Sequence, residues 1–342
     1  MKVLITGGAG FIGSHLTERC LKQGWAVRVL DDLSTGTEEN LAHVKEWPAF
    51  EFVHGSVLGR RLLEEVIEGC DLVFHLAAAV GVRLILDSPV RSISTNIHGT
   101  ENVLAAAAPH RIPVFVASTS EVYGKSAAVP FREDSDLVLG VTTKVRWSYA
   151  ASKALDEFLG MAYWNHSRLP VTVVRLFNTV GPRQTGRYGM VLPTFVKQAL
   201  QGDPITVFGS GKQTRCFGYV ADVTEMLVKL AQTPGVAGEV INIGNDREIS
   251  MNDLARLVKH VCGSSSPIVR IPYEAAYGDG FEDMERRVPC LEKLRSLTGC
   301  RPETSTEAIV RAVVDYQRSQ SSWQVPSSRP AARAASGAAF GD

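Results

Sequence analysis

Along the first half of the chain, short apolar runs of strand length alternate with longer stretches whose apolar residues recur at helical spacing. Lys2-Val3-Leu4-Ile5-Thr6 is the first such run, and Leu16, Cys20 and Leu21 follow it at helical spacing. Further strand-length runs fall at 26–30, 51–55, 71–78, 113–117 and 171–176, with helical patterns at 60–68 and 92–108 between them. The second of those helices is rich in Ala and Leu and meets no breaker before Pro109. Strands alternating with helices at this spacing predict right-handed βαβ units and an α/β fold, a doubly wound parallel sheet. Beyond about Gly181 the rhythm changes. Short elements punctuated by Gly202-Asp203-Pro204 and Gly209-Ser210-Gly211 alternate with helical patterns at 192–200, 251–261 and 306–317. The predicted organisation is a first domain over 1–180, to which segments around 215–244 return, and a smaller mixed α/β domain over 181–318. The tail at 319–342 is rich in Ser, Ala, Pro and Arg with few apolar anchors, and is expected to be disordered.

Composition narrows the classes of partner. With 342 residues, 45% hydrophobic and 21% charged, the chain can bury a sizeable core. Its 36 basic residues balance 36 acidic ones, and no basic stripe points to nucleic acid or to a membrane surface. No apolar stretch approaches transmembrane length. Because Lys2 already belongs to the first strand, no signal peptide is expected. Six scattered cysteines without a C-x-x-C pair read as reduced thiols of a cytoplasmic protein. No histidine spacing suits a metal site.

Candidate chemistry begins where the first strand ends. Gly7, Gly10 and Gly13 form a G-x-x-G-x-x-G turn between strand and helix. A tight turn and a close backbone approach to a pyrophosphate both require missing Cβ atoms. The helix that opens with Phe11 and Ile12 then offers unpaired N–H groups to the phosphates. Asp31 ends the second strand, 18 residues after Gly13, where a ribose-binding carboxylate is expected. A carboxylate there repels a 2′-phosphate, so the cofactor read from this pattern is NAD, with Asp32 and the polar loop after it along the adenosine ribose. Further on, Tyr149 and Lys153 stand four apart in a helical segment and so share a face. Oxidising an alcohol by hydride transfer needs a base. Bringing a tyrosine from pKa about 10 to near 7 takes about 4 kcal/mol. One ammonium at ~4 Å in an effective dielectric near 20 supplies on the order of that amount.

Together these features resemble the extended short-chain dehydrogenase/reductase family of nucleotide-sugar epimerases, dehydratases and decarboxylases, over almost all of residues 1–318. The motifs that carry the resemblance are the glycine turn, Asp31, His75-Leu76-Ala77-Ala78, residues 118–124, the Tyr149/Lys153 pair, Arg175-Leu176-Phe177-Asn178, Gly181-Pro182-Arg183 and Gln213-Thr214-Arg215. The resemblance implies a Rossmann-type fold with a smaller C-terminal substrate domain. It also implies that Leu76 and Ala77 line the NAD site, and that Thr119 hydrogen-bonds the sugar hydroxyl being oxidised. Ser120 and Glu121 would set the reaction type. Lys144-Val145-Arg146-Trp147-Ser148-Tyr149 resembles a run of UDP-glucuronate decarboxylases, as does the segment from Ala276 to Pro289. The arginine matching Arg287 lies there beside the substrate carboxylate and diphosphate. Asn178 and Arg215 would hold the nucleotide diphosphate, with Arg83 and Val191 as further substrate contacts. Four features depart from that subfamily: Cys290 in place of Asp, Ser56 in place of an adenine-contacting Asp, and the epimerase-like Gly81-Val82-Arg83 and Arg183-Gln184. The implied activity is conversion of a nucleotide sugar through transient C4 oxidation, with decarboxylation of UDP-glucuronate to UDP-xylose or the 4-keto pentose first. A 4-epimerase or a 4,6-dehydratase uses the same first step, and a non-catalytic nucleotide sensor could share the fold. The family commonly forms homodimers through two long helices, here expected at 92–108 and 149–165.

Overall fold

The computed structural model describes residues 1–81, 87–186, 190–273, 275 and 284–320. Strands β1 (Lys2–Thr6), β2 (Ala26–Asp31), β3 (Phe50–His54), β4 (Leu72–His75), β5 (Val114–Thr119), β6 (Val171–Leu176) and β11 (Val240–Ile243) build one sheet. Its order is β11-β6-β5-β4-β1-β2-β3, and every pairing in it is parallel. Strands buried on both faces read as continuous apolar runs rather than alternating ones. Val3, Leu4 and Ile5 at the sheet centre are accordingly all inaccessible to solvent.

Helices cover both faces. On one side α1 (Phe11–Lys22), α6 (Val220–Ala231) and α8 (Glu292–Thr298) pack through Leu16, Val223, Leu227 and Leu294. On the other, α2 (Arg60–Ile67), α3 (Pro89–Ala107) and α4 (Ser148–Ser167) pack over Leu4, Val73, Val114 and Val173. The predicted helix at 92–108 starts three residues earlier because Pro89 sits in its first turn, where a missing N–H costs nothing. The fourth strand stops at His75 rather than continuing to residue 78. There the order reverses between β1 and β4, and the chain leaves the sheet to open a crevice. The fifth strand instead runs on to Thr119, which pairs with Leu176. That extension carries Ser118 and Thr119 to the carboxyl edge of the sheet, where such folds bind ligands.

After β6 the chain forms a second buried cluster. Helices α5 (Val191–Gln201), α7 (Met251–Cys262) and α9 (Thr306–Gln320) enclose Val196, Ile205, Leu254, Val258 and Val310. Three small strand pairs accompany it: β7 (Thr179–Val180) with β10 (Gly218–Tyr219), β8 (Ile205–Phe208) with β13 (Ile268–Ile271), and the antiparallel β9 (Thr214–Cys216) with β12 (Glu248–Ser250). The tail from 321 onward, Arg83 and most of the 276–289 run lie outside the described residues. Among the described residues no helix is long and apolar enough to cross a membrane, and no cluster of His, Cys, Asp and Glu could hold a metal ion.

Candidate active site

A cavity of about 1030 Å³ opens at the carboxyl edge of the sheet, and the glycine turn forms one end of it. Gly7 has φ +73°, and a Cβ there would lie 2.7 Å from the Ala77 backbone nitrogen. A Cβ on Gly13 would lie 2.1 Å from the Gly7 carbonyl oxygen, so turn and helix meet backbone to backbone. No side chain caps α1 at Gly10, which leaves the first-turn N–H groups facing the cavity. Phe11, Ile12, Leu76 and Ala77 line the same end. Asp31 is buried and accepts hydrogen bonds from the backbone N–H of Ala9 at 2.9 Å and of Leu33 at 2.8 Å. Burial raises its pKa, and the two backbone donors oppose that rise. Asp32, beside it, accepts from the Ser34 N–H at 3.0 Å. An uncapped helix end, a turn that tolerates no Cβ, and a carboxylate one strand away form a cradle suited to the two phosphates and a ribose of a dinucleotide.

At the centre of the cavity Thr119, Ser120, Glu121, Tyr149 and Lys153 come together. The Thr119 hydroxyl oxygen accepts from the Glu121 N–H at 3.2 Å, capping the short 3₁₀ turn Ser120–Tyr123. Its proton therefore remains free to be donated, and the Thr119 hydroxyl favours the ionised form of the Tyr149 phenol. The Ser120 hydroxyl is buried and has no partner among the described residues. Tyr149 and Lys153 share the inner face of α4, as the spacing predicted. Burial pushes the Tyr149 phenol up, and the carboxylates of Glu121 and Asp156 push it further; Thr119 and Arg287 act in the opposite direction. Lysine's simple role as the charge that lowers the phenol is thus modified. Lys153 donates to the buried Asp156 carboxylate at 2.6 Å, which matches its charge.

Glu121 anchors a second group. Its carboxylate accepts from Arg287 at 3.0 Å and from Arg146, and all three side chains are largely buried. Burial works against ionisation, but the two guanidiniums outweigh it and hold Glu121 at about 2. Arg287 also donates to the Asn178 side chain at 3.3 Å, and Asn178 in turn donates to the Cys216 carbonyl. Arg287 is held in place by its neighbours in the chain: Phe131 N–H donates to the Val288 carbonyl at 2.8 Å, and Cys290 N–H to that of Phe131 at 2.8 Å. Val191 and Arg215, read from the sequence as substrate contacts, do not line this cavity. Val191 opens α5 beside Met190, which does, and the Arg215 guanidinium turns back to the Thr214 carbonyl. Arg286 lies on the surface in an ion pair with Glu248.

A family model described as the NAD dependent epimerase/dehydratase family matches residues 3–244. The chain belongs to that family. NAD is its cofactor, and the cradle at Gly7, Gly13 and Asp31 fits it. Among relatives of this family member, a UDP-N-acetyl-alpha-D-glucosaminuronate decarboxylase of Bacillus cytotoxicus is 42% identical over 93% of this chain and 98% of its own. The UDP-glucuronic acid decarboxylase 1 of Xenopus tropicalis is 34% identical over 96% of this chain and 76% of its own. A solved UDP-glucuronic acid 4-epimerase from Bacillus cereus, in complex with UDP-glucuronic acid and NAD, superposes with a TM-score of 0.85. It is 28% identical, over 94% of this chain and all of the other.

Sequence reasoning missed three contributors to this epimerase/dehydratase site. Arg146 carries no role in the sequence motif, because its partner Glu121 lies 25 residues away. Asp156, three residues after Lys153, was legible from helical spacing alone. Asn96 accepts from the Ala79 N–H at 2.8 Å and donates to Ser152, joining the cavity wall to the helix that carries Tyr149; no local pattern marks it.

Proposed function

We propose that this protein is an NAD-dependent nucleotide-sugar decarboxylase acting on UDP-glucuronate. The observation that carries this reading is the Glu121 carboxylate set between Arg146 and Arg287. Arg287 lines the cavity beside Asn178, and a guanidinium there pairs well with a carboxylate of the ligand. A neutral hexose brings no such group at C5, whereas a uronate does.

The residues divide the work. Tyr149 takes the proton of the sugar 4-hydroxyl, and Thr119 donates a hydrogen bond to the same oxygen. NAD, when bound, accepts the hydride of C4 and can later return it. The 4-ketone is β to the C5 carboxylate. The electrons of the C5–carboxylate bond therefore pass towards the ketone as carbon dioxide leaves, and the protonated Tyr149 and Thr119 stabilise the enolate oxygen. C5 then takes up a proton in the pocket formed by Ser120 and Glu121. Held ionised by two arginines, Glu121 orients the ring and the Arg287 guanidinium rather than giving up a proton itself. Return of the hydride gives UDP-xylose; release before that step gives the 4-keto pentose. Arg287 holds the uronate carboxylate or the diphosphate, with Asn178 beside it.

We also infer a homodimer. Leu155 and Phe158 on α4 are 47% and 69% exposed, unusual for large apolar side chains on one helix, and a second copy of the same helix face would cover them. Six free thiols fit a reducing, cytoplasmic setting.

Mass spectrometry of the product formed from UDP-glucuronate and NAD tests the reaction. Loss of carbon dioxide supports decarboxylation. An isomer of unchanged mass replaces it with 4-epimerisation, loss of water with dehydration, and binding without turnover with a nucleotide sensor.

A further inference from the structure

Asp156 has no part in the chemistry described so far, yet it is among the most deeply buried carboxylates of the chain. It is fully inaccessible, lies three residues after Lys153 on α4, and receives the Lys153 ammonium at 2.6 Å. A buried ion pair is a poor way to gain stability, since apolar residues of similar volume commonly serve as well or better. The other charges around the site are committed elsewhere. Glu157 is held by Arg175 at 2.8 Å and by Ser118, and Glu121 by Arg287 and Arg146. His75 sits between the hydroxyls of Thr6 and Thr100, with Thr100 close to the Asp156 carboxylate, and burial helped by the Lys153 charge keeps it neutral. Facing the Tyr149 phenol are Glu121 and Arg287 across the cavity, Thr119 from β5, and Asp156 from its own helix.

We propose that Asp156 is a positioning residue that cancels the field of Lys153 at Tyr149, so that the base stays protonated until the positive charge of NAD is bound. The inference rests on the reading of Tyr149 as the base. Without Asp156, the lysine alone would favour the phenolate in the empty site. With it, the ammonium and carboxylate act on the phenol in opposite senses, and burial decides in favour of the neutral form. Formation of the base is thereby coupled to loading of the cofactor.

The test is a phenolate absorbance titration of the cofactor-free protein, comparing wild type, Asp156→Asn, and Asp156→Asn combined with Tyr149→Phe. The expected result is a phenolate in Asp156→Asn that titrates lower than any in wild type by on the order of one pH unit. It should vanish in the double variant. Asp156→Thr, which keeps a polar partner for Lys153 without the charge, substitutes if the asparagine variant does not fold. A folded variant with reduced stability and an unchanged titration marks a merely structural ion pair and overturns the proposal. Because no substrate enters the measurement, a failure of UDP-glucuronate to react leaves this outcome separately readable.

Discussion

Replacing Glu121 with Gln removes a negative charge that two buried guanidiniums share while keeping the side chain's shape. The cost can be worked from the site. The arginines hold Glu121 at about 2 against an ordinary 4.5. At 1.36 kcal/mol per pH unit, that difference corresponds to about 3 kcal/mol of stabilisation. Removing one partner of a buried pair costs roughly 3–5 kcal/mol by general experience, so the two figures agree. Urea unfolding of Glu121→Gln at pH 7 should therefore show a loss of about 3 kcal/mol. A ligand that brings its own carboxylate should repair part of it. UDP-glucuronate should raise the thermal midpoint of the variant by more than it raises that of wild type, whereas UDP-glucose should raise both alike. Turnover should fall sharply although uronate binding persists, because the ring is no longer oriented. A stability loss below about 1 kcal/mol, or equal rescue by both ligands, would refute the account of the triad.

Three other outcomes follow from the same geometry. Gly13→Ala places a Cβ against the Gly7 carbonyl and should weaken NAD binding by at least about tenfold, roughly 1.4 kcal/mol, in calorimetry; unchanged affinity removes the backbone approach as its cause. His75 is held at about 3 by burial, below the 6.5 of an exposed histidine, so the unfolded chain binds the extra proton first and stability falls as pH drops below 6.5. From there to pH 5 that single group should cost about 2 kcal/mol, and His75→Gln should flatten this part of the urea-unfolding profile; an identical slope contradicts it. Phe158→Glu should convert a dimer to a monomer in sedimentation while leaving the fold intact, and a monomeric wild type would dispose of the inferred interface.

How far the sequence led depended on how local each feature is. The glycine turn, Asp31 and the Tyr149/Lys153 pair were legible because turn chemistry and helical spacing are properties of short stretches. Helix α3 was found but begun three residues late, since Pro89 reads as a breaker until it is recognised as a first-turn residue. Pairing of Val240–Ile243 with β6 joins strands about seventy residues apart, and only the return of a late segment could be foreseen. The charge partners were the hardest. Arg146, Glu121 and Arg287 come from three separate loops, and side-chain type alone names no partner. Lys153 was expected to act on Tyr149 alone; the Asp156 carboxylate shows that the field at a buried phenol is a sum over every neighbouring charge. Val191 and Arg215, expected as substrate contacts, lie outside the cavity lining.

The central claim is that the sugar loses its C6 carboxylate in this site. The most direct measurement is carbon NMR of the purified protein with NAD and UDP-glucuronate labelled at C6. The account predicts that the label leaves the uronate carboxylate and appears as carbon dioxide and bicarbonate, at a rate that Tyr149→Phe abolishes. A label that stays on the sugar as the substrate is consumed would contradict it.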